Sequence, residues 1–158
     1  MQTLKELEEQ KAELEKKIAE AKRLPDKPSE LIRVALEDVK KVENTPGYKV
    51  DLREWNVVHS DGKCHVCLGG SVLVERCGAK KGEGLSKSLE NGTIDSVVYS
   101  KLTALDMFRL GDVEQGLSFL GITVDGLPEY LLVTDYIDRD GFFRDMENMA
   151  RMFEARGL

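Results

Sequence analysis

The sequence predicts a mainly α protein, in which a compact helical domain with irregular or short β segments follows an N-terminal helix that carries a heptad pattern. Apolar residues recur at helical spacing in several stretches, capping residues precede these stretches, and proline or glycine turns follow them. The chain has 158 residues, of which 41% are hydrophobic, enough for one domain to bury a core without a metal or a disulfide. We therefore expect a helical arm at 1–24, a proline-containing linker at 25–29 and a globular helical domain at 30–158.

The first predicted helix covers about residues 4–23 and begins at Thr3, which forms a capping box with Glu6. Its apolar residues occupy the a and d positions of a heptad, with Lys11 in one of these core positions. They are Leu4, Leu7, Leu14, Ile18 and Ala21. Such a narrow apolar seam favours pairing with a helix of a second copy, through residues 4–21, or of another protein. The alternative is a solvated arm lying on its own domain, because a helix this short forms a marginal coiled coil.

Proline and glycine delimit the second helix. Residues 24–28 contain two prolines that end the first helix, and Ser29 is expected to cap the second, which has a wider apolar face suited to a core. The second helix should stop at the turn 44–47, and residues 48–63 should be extended or irregular.

The next regular element should begin between Cys64 and Cys67 and run towards Gly78, with helix and strand both open. Further expectations follow from glycines, helical spacing and aspartate caps. They are a flexible loop at 79–92, a helix from about 97 to 111, a short helix capped by Asp112, a short strand at 130–133, and a last helix capped by Asp140 that ends near Gly157.

Charge and composition exclude several classes of function. The net charge is -6, and Lys and Arg are mixed among Asp and Glu, so nucleic-acid binding is not expected and a protein partner with a basic surface fits better. The sequence has neither a signal-peptide core nor an apolar run long enough to span a bilayer. Three cysteines crowded between 64 and 77 read as reduced thiols. We expect a cytoplasmic protein with no cofactor and no membrane association.

The most unusual feature is a cluster of reactive residue types. The only tryptophan, both histidines and two of the three cysteines lie in the sixteen residues 55–70. One hypothesis is a structural zinc site, because Cys64 and Cys67 have a C-x-x-C spacing and Cys77 and His65 could complete four ligands. The sequence offers no second C-x-x-C or H-x-H pair, which weakens this hypothesis.

A second hypothesis is thiol chemistry, either in an enzyme or in a small-molecule binder. Cys64 or Cys67 at a helix start would be acidified by free backbone amides, and His59 or His65 would act as base. Neither a protease signature nor a βαβ redox pattern surrounds the cysteines.

The third hypothesis is structural. Cysteine behaves as a small apolar residue, so Cys64, Cys67 and the neighbouring valines would fill a core. The pair Gly69-Gly70 would then permit close packing of another helix, and the two histidines would be hydrogen-bonded or partly exposed. We favour this interpretation, which leaves no assigned catalytic residue and no assigned metal ligand.

Several segments resemble a group of uncharacterised small proteins encoded by tailed bacteriophages and prophages, whose shared motif is of the type W…C-x-V-C-x-G-G-x-V. The central segment is Cys64-His-Val-Cys67-Leu-Gly-Gly70-Ser-Val, and the others are 48–55, 100–112 and 143–158. The resemblance covers most of the chain after residue 29 and implies a phage origin and a shared fold, but no activity. With an oligomerising arm and no complete catalytic motif, the expected function is a non-enzymatic interaction protein that binds a host protein, such as an inhibitor of an antiviral defence system. Its expected interaction residues are Leu4, Leu7, Leu14 and Ile18.

Overall fold

A computed structural model describes residues 1–128 and 136–158, apart from the side chains of residues 21 and 22. Within these residues the chain is mainly helical with a small three-stranded sheet, as predicted. The helices are α1 (Leu4–Lys22), α2 (Pro28–Glu43), α3 (Leu68–Glu75), α4 (Leu85–Glu90), α5 (Ser96–Arg109), α6 (Val113–Phe119) and α7 (Arg139–Ala155). The strands are β1 (Tyr48–Val50), β2 (Val57–Val58) and β3 (Cys64–Val66).

The N-terminal helix α1 confirms the prediction for residues 4–23. Its N-cap is Thr3, whose hydroxyl accepts a hydrogen bond from the amide of Glu6 at 3.2 Å. Every side chain of residues 1–20 is exposed. Among the side chains that the structure describes, the first buried one is Leu24, which lies after the helix. The Nζ atom of Lys101, on α5, donates to the Leu24 carbonyl at 2.9 Å. This hydrogen bond holds the residue at which the chain enters the core after α1.

The start of α2 corrects one expectation. Pro28 is the first helical residue, and Lys27 is the N-cap without a side-chain cap hydrogen bond. Ser29 therefore lies inside the first turn, where its hydroxyl donates to the Leu158 carbonyl at 2.8 Å. The prediction of a Ser29 cap is wrong because proline has a helical φ and needs no amide partner at the first helical position. The helix therefore begins at Pro28, before Ser29.

The sheet has β3 at its centre. β1 pairs with β3 in parallel, with Tyr48 opposite Cys64, and β2 pairs with β3 antiparallel, with Val57 opposite His65. All three residues of β3 are buried. Cys67 follows directly as the N-cap of α3. The segment whose type was open is therefore a strand first and a helix second.

The core is formed mainly by helices. α2 packs against α3 and α7, and α5 packs against α6 and α3. Phe108 of α5 and Phe153 of α7 are fully buried with ring centroids 5.2 Å apart. In the part of the chain that is described, no helix is both long and apolar enough to cross a lipid bilayer.

Two further expectations need correction, and one is confirmed. The predicted loop at 79–92 contains the short helix α4. The last helix is capped by Asp138, whose Oδ1 accepts from the Gly141 amide at 2.9 Å, and Asp140 lies in the first turn. Asp112 caps α6 as predicted, accepting from the Gln115 amide at 3.1 Å. The strand expected at 130–133 lies outside the described residues.

Candidate functional site

The three cysteines lie in the interior of the domain. Cys64 is on the central strand, Cys67 caps α3, and Cys77 follows the same helix; all three are free thiols and buried. The Cys64 thiol donates to Oδ1 of Asn56 at 2.6 Å, and Sγ of Cys67 accepts from the Gly70 amide at 3.3 Å. Burial raises the pKa of the Cys67 thiol to about 12, so this sulfur stays protonated and unreactive at neutral pH.

Asn56 organises the polar contacts around Cys64, a role that the sequence did not reveal. Its side chain is buried, and Nδ2 donates to the carbonyls of Lys80 and Glu83 at 2.8 and 2.9 Å. Its Oδ1 also accepts from the Gly82 amide at 3.3 Å. These bonds attach the segment before α4 to the sheet. The partners are more than twenty residues away in sequence, so no local pattern marks Asn56.

The pair Gly69-Gly70 is filled by Trp55. A Cβ atom on Gly69 would lie 2.4 Å from the indole ring, and one on Gly70 would lie 1.7 Å from the Trp55 carbonyl oxygen. The backbone of α5 comes only to ordinary contact, with the Leu102 carbonyl 3.4 Å from the Gly69 position. The glycines therefore make room mainly for the tryptophan segment, and the expected close approach of another helix is secondary. The Gly70 amide is already occupied by its hydrogen bond to Sγ of Cys67.

The two histidines form a stacked pair on the other side of β3. Their ring centroids are 3.9 Å apart, with planes inclined by 21°. Nε2 of His65 lies 2.9 Å from Asp61 and Nδ1 lies 3.4 Å from Asp51. The hydrogen bond from His65 lowers the pKa of the Asp61 carboxyl. Nε2 of His59 is buried and makes no hydrogen bond, although Oε1 of Glu54 lies 3.4 Å away.

The expected pairing of a thiol with a histidine base is not formed. Cys64 and His65 are consecutive on a strand, so their side chains point to opposite faces of the sheet. Among the described residues, each histidine ring contacts carboxylates and the other ring, and Cys64 contacts Asn56. The structure therefore divides the sequence cluster into a buried thiol side and an acidic histidine side.

The proposed metal ligands do not converge either. Across residues 1–128 and 136–158, no three His, Cys, Asp or Glu side chains come together in an arrangement that could hold a metal ion. The four candidates Cys64, Cys67, Cys77 and His65 lie within this range, and each has a place in the core or in the histidine cluster.

The seam of α1 is an exposed apolar surface. The four expected interaction residues are all exposed: Leu4 by 72%, Leu7 by 48%, Leu14 by 60% and Ile18 by 46%. Lys11 lies in the same seam, and its Nζ is 3.9 Å from Oε1 of Glu15 on the same helix. The side chain of Ala21, the last seam position, is outside the description. Four large aliphatic side chains thus line one stripe of a helix that is exposed on all sides.

The charge of the protein is divided unevenly between arm and domain. Residues 1–23 contain six basic and six acidic side chains, so the arm is neutral. The net charge of -6 belongs entirely to residues 24–158. The molecule therefore combines a neutral helix bearing an apolar seam with an acidic domain.

Comparison of the chain with protein-family models, with curated proteins and with solved structures gives no significant match. Function is therefore inferred from the geometry of the described residues.

Proposed function

We propose that this chain is a non-enzymatic interaction protein of phage or prophage origin, which binds a host protein and inhibits a bacterial antiviral defence system. The observation that carries the proposal is the exposed seam of α1. Leu7, Leu14 and Ile18 lie on one stripe at a spacing typical of helix pairing. Burial of each such side chain against another protein contributes roughly 1–2 kcal/mol of favourable free energy. This hydrophobic gain favours binding of α1 to a partner.

The burial of the cysteine thiols supports a binding role for the protein over a catalytic one. Cys64 and Cys67 are fully or almost fully buried, and both sulfurs already have hydrogen-bond partners. A catalytic thiol needs access to its substrate and a lowered pKa. Cys67 has the opposite properties, because burial raises its pKa to about 12.

The distribution of charge supports a protein as the partner of the domain. Residues 24–158 carry the whole net charge of -6, and such a surface attracts basic surfaces and repels nucleic acid. We infer that the acidic domain contacts the host protein, while α1 contributes an apolar contact to another polypeptide chain. The resemblance around Cys64–Gly70 supports the phage origin.

The experiment uses a panel of bacterial strains that each carry one antiviral defence system. The chain is expressed in every strain, and the strains are challenged with phages that the defence system normally blocks. We expect plaque formation to be restored in at least one strain, and a component of that system to copurify with the tagged chain. Unchanged plaquing in every strain would overturn the proposed role.

Two matched double variants test the contribution of the seam. Leu7→Glu with Leu14→Glu places two carboxylates in the seam, and Ala12→Glu with Ala19→Glu places two on the opposite face of the same helix. We expect the seam variant to lose plaque restoration and the control variant to keep it. Equal activity of the two variants would show that α1 is not the interaction element.

A further inference from the structure

We propose that the chain occupying the seam of α1 is α1 of a second copy, and that the two helices lie antiparallel. This inference rests on the proposed function in one respect, namely that the seam is a protein-binding surface. It goes further by naming the partner and its direction. The positions of the charged residues in the heptad and the division of charge between arm and domain both favour this pairing.

A parallel pair of α1 helices would bring like charges together. In a parallel pair equivalent a positions face each other, so Lys11 would meet Lys11 of the second copy. The g and e positions flank the seam, which places Lys17 beside Lys22 of the second copy. A parallel pair therefore has repulsion both in its centre and near its C-terminal end.

An antiparallel pair takes the two Lys11 side chains out of direct opposition and places them in adjacent layers of the seam. Each a position then faces a d position, which puts Leu7 opposite Ile18 of the second copy and Lys11 opposite Leu14. The e positions of the two helices also lie on the same side as the a positions in this arrangement. The Lys11 ammonium therefore lies beside Glu15 of the second copy, where it offsets the repulsion between that carboxylate and Glu8, and the twofold symmetry forms this arrangement twice.

The side chain of Lys11 is long enough to make this contact from the edge of the seam. Lys11 already reaches towards Glu15 of its own helix at 3.9 Å, and both side chains are largely exposed. Its aliphatic stem can cover Leu14 of the second copy while the ammonium stays at the edge of the seam. Lys11 therefore disfavours the parallel pair and favours the antiparallel one.

The charge of the domains favours the same direction. α1 has 19 residues, and at 1.5 Å per residue it is about 28 Å long. An antiparallel pair holds the two acidic domains at opposite ends of this length, well beyond the Debye length of about 10 Å. A parallel pair would hold both domains, each with a charge of -6, at the same end.

The first test is the molar mass of the full chain in solution, measured by sedimentation equilibrium over a wide range of concentration. We expect the mass to rise from monomer to dimer with concentration. The variant with Leu7→Glu and Leu14→Glu should stay monomeric, whereas the control with Ala12→Glu and Ala19→Glu should dimerise like the wild type. A wild-type chain that is monomeric at all concentrations would overturn the inference.

The second test determines the direction of the helices. Single variants Leu7→Cys and Ile18→Cys are mixed and equilibrated in a glutathione redox buffer, and the disulfide-linked dimers are identified by mass spectrometry. An antiparallel pair predicts mainly the mixed disulfide between positions 7 and 18. Mainly same-position disulfides would show a parallel pair and overturn the inference. Wild-type protein is the control, since its three cysteines are buried and should form no linked dimer.

These outcomes separate the inference from the proposed function. A monomeric chain whose seam is still needed for plaque restoration contradicts self-pairing and leaves the interaction role in place. A dimer that forms through the seam, in a protein that restores no plaquing, supports self-pairing and contradicts the anti-defence role.

Discussion

The carbonyl oxygen of Trp55 lies 1.7 Å from the position that a Cβ atom on Gly70 would take. Because the obstacle is backbone, it cannot move aside as a flexible side chain would. We expect Gly70→Ala to lower the free energy of unfolding by about 3 kcal/mol or more, at the upper end of overpacking effects. Urea denaturation followed by tryptophan fluorescence measures this change directly.

The matched control is Gly84→Ala. A Cβ atom on Gly84 meets nothing within 4 Å, and its φ of -73° suits any residue. We expect this variant to lose less than about 1 kcal/mol, mostly through its position as a helix cap. Equal effects of the two substitutions would contradict the close approach of Trp55 to α3.

The buried thiols predict slow alkylation. Burial raises the pKa of Cys67 to about 12, and Cys64 is bonded to Asn56 in the core. We expect iodoacetamide at neutral pH to label both residues far more slowly than free cysteine, with rapid labelling only in denaturant. Mass spectrometry of the labelled peptides identifies each site. Labelling of the native chain at or above the rate of free cysteine would support thiol chemistry and contradict the core role.

Asp38 predicts a characteristic dependence of stability on pH. Its carboxylate is buried on α2 and accepts from Nε of Arg76 at 2.8 Å, while Oδ1 has no hydrogen-bond partner. Burial raises the pKa of this carboxyl from 3.8 to about 6, a shift that the nearby Arg76 and Lys41 only partly offset. The folded state therefore binds the proton more tightly than the unfolded state does. Stability from this group is highest below about pH 4 and falls as the pH rises towards 6.

The expected size of this loss is on the order of 3 kcal/mol, from a shift of about two units. The measurement is urea denaturation of the wild type and of Asp38→Asn between pH 4 and pH 7. The wild type should lose this amount relative to the variant as the pH rises. Parallel stability curves for the two proteins would contradict a raised pKa at Asp38.

Local patterns in the sequence predict the elements whose ends depend on neighbouring residues. The Thr3 cap, the extent of α1 and the Asp112 cap are all confirmed, because each depends on side chains within four residues. The heptad also correctly places the exposed apolar residues on one stripe. Where two aspartates could cap the same helix, the local pattern does not decide between them. The structure uses Asp138 as the cap of α7, whereas the sequence predicts Asp140.

Contacts between distant segments could not be predicted in this way. Asn56 bonds carbonyls more than twenty residues away, and Trp55 packs on glycines of a later helix. Both depend on the sheet that brings these segments together. The separation of Cys64 from His65 follows simply from strand geometry, but only once the segment is known to be a strand.

The cysteines of the cluster lie in the core, where the third of the three sequence hypotheses places them. Its thiols pack in the core, its glycines hold Trp55, and its histidines lie against carboxylates. The surface with the clearest binding potential is instead the seam of α1, where Leu4 and Leu14 are more than half exposed.

Photo-crosslinking of α1 in living bacteria tests whether the seam binds another polypeptide chain. A photoreactive phenylalanine analogue is placed at position 14 in the seam or at position 12 on the opposite face, and crosslinked products are identified by mass spectrometry. We expect a discrete product with another polypeptide chain from position 14 and little or none from position 12. Equal products from both positions, or none from position 14, would contradict it.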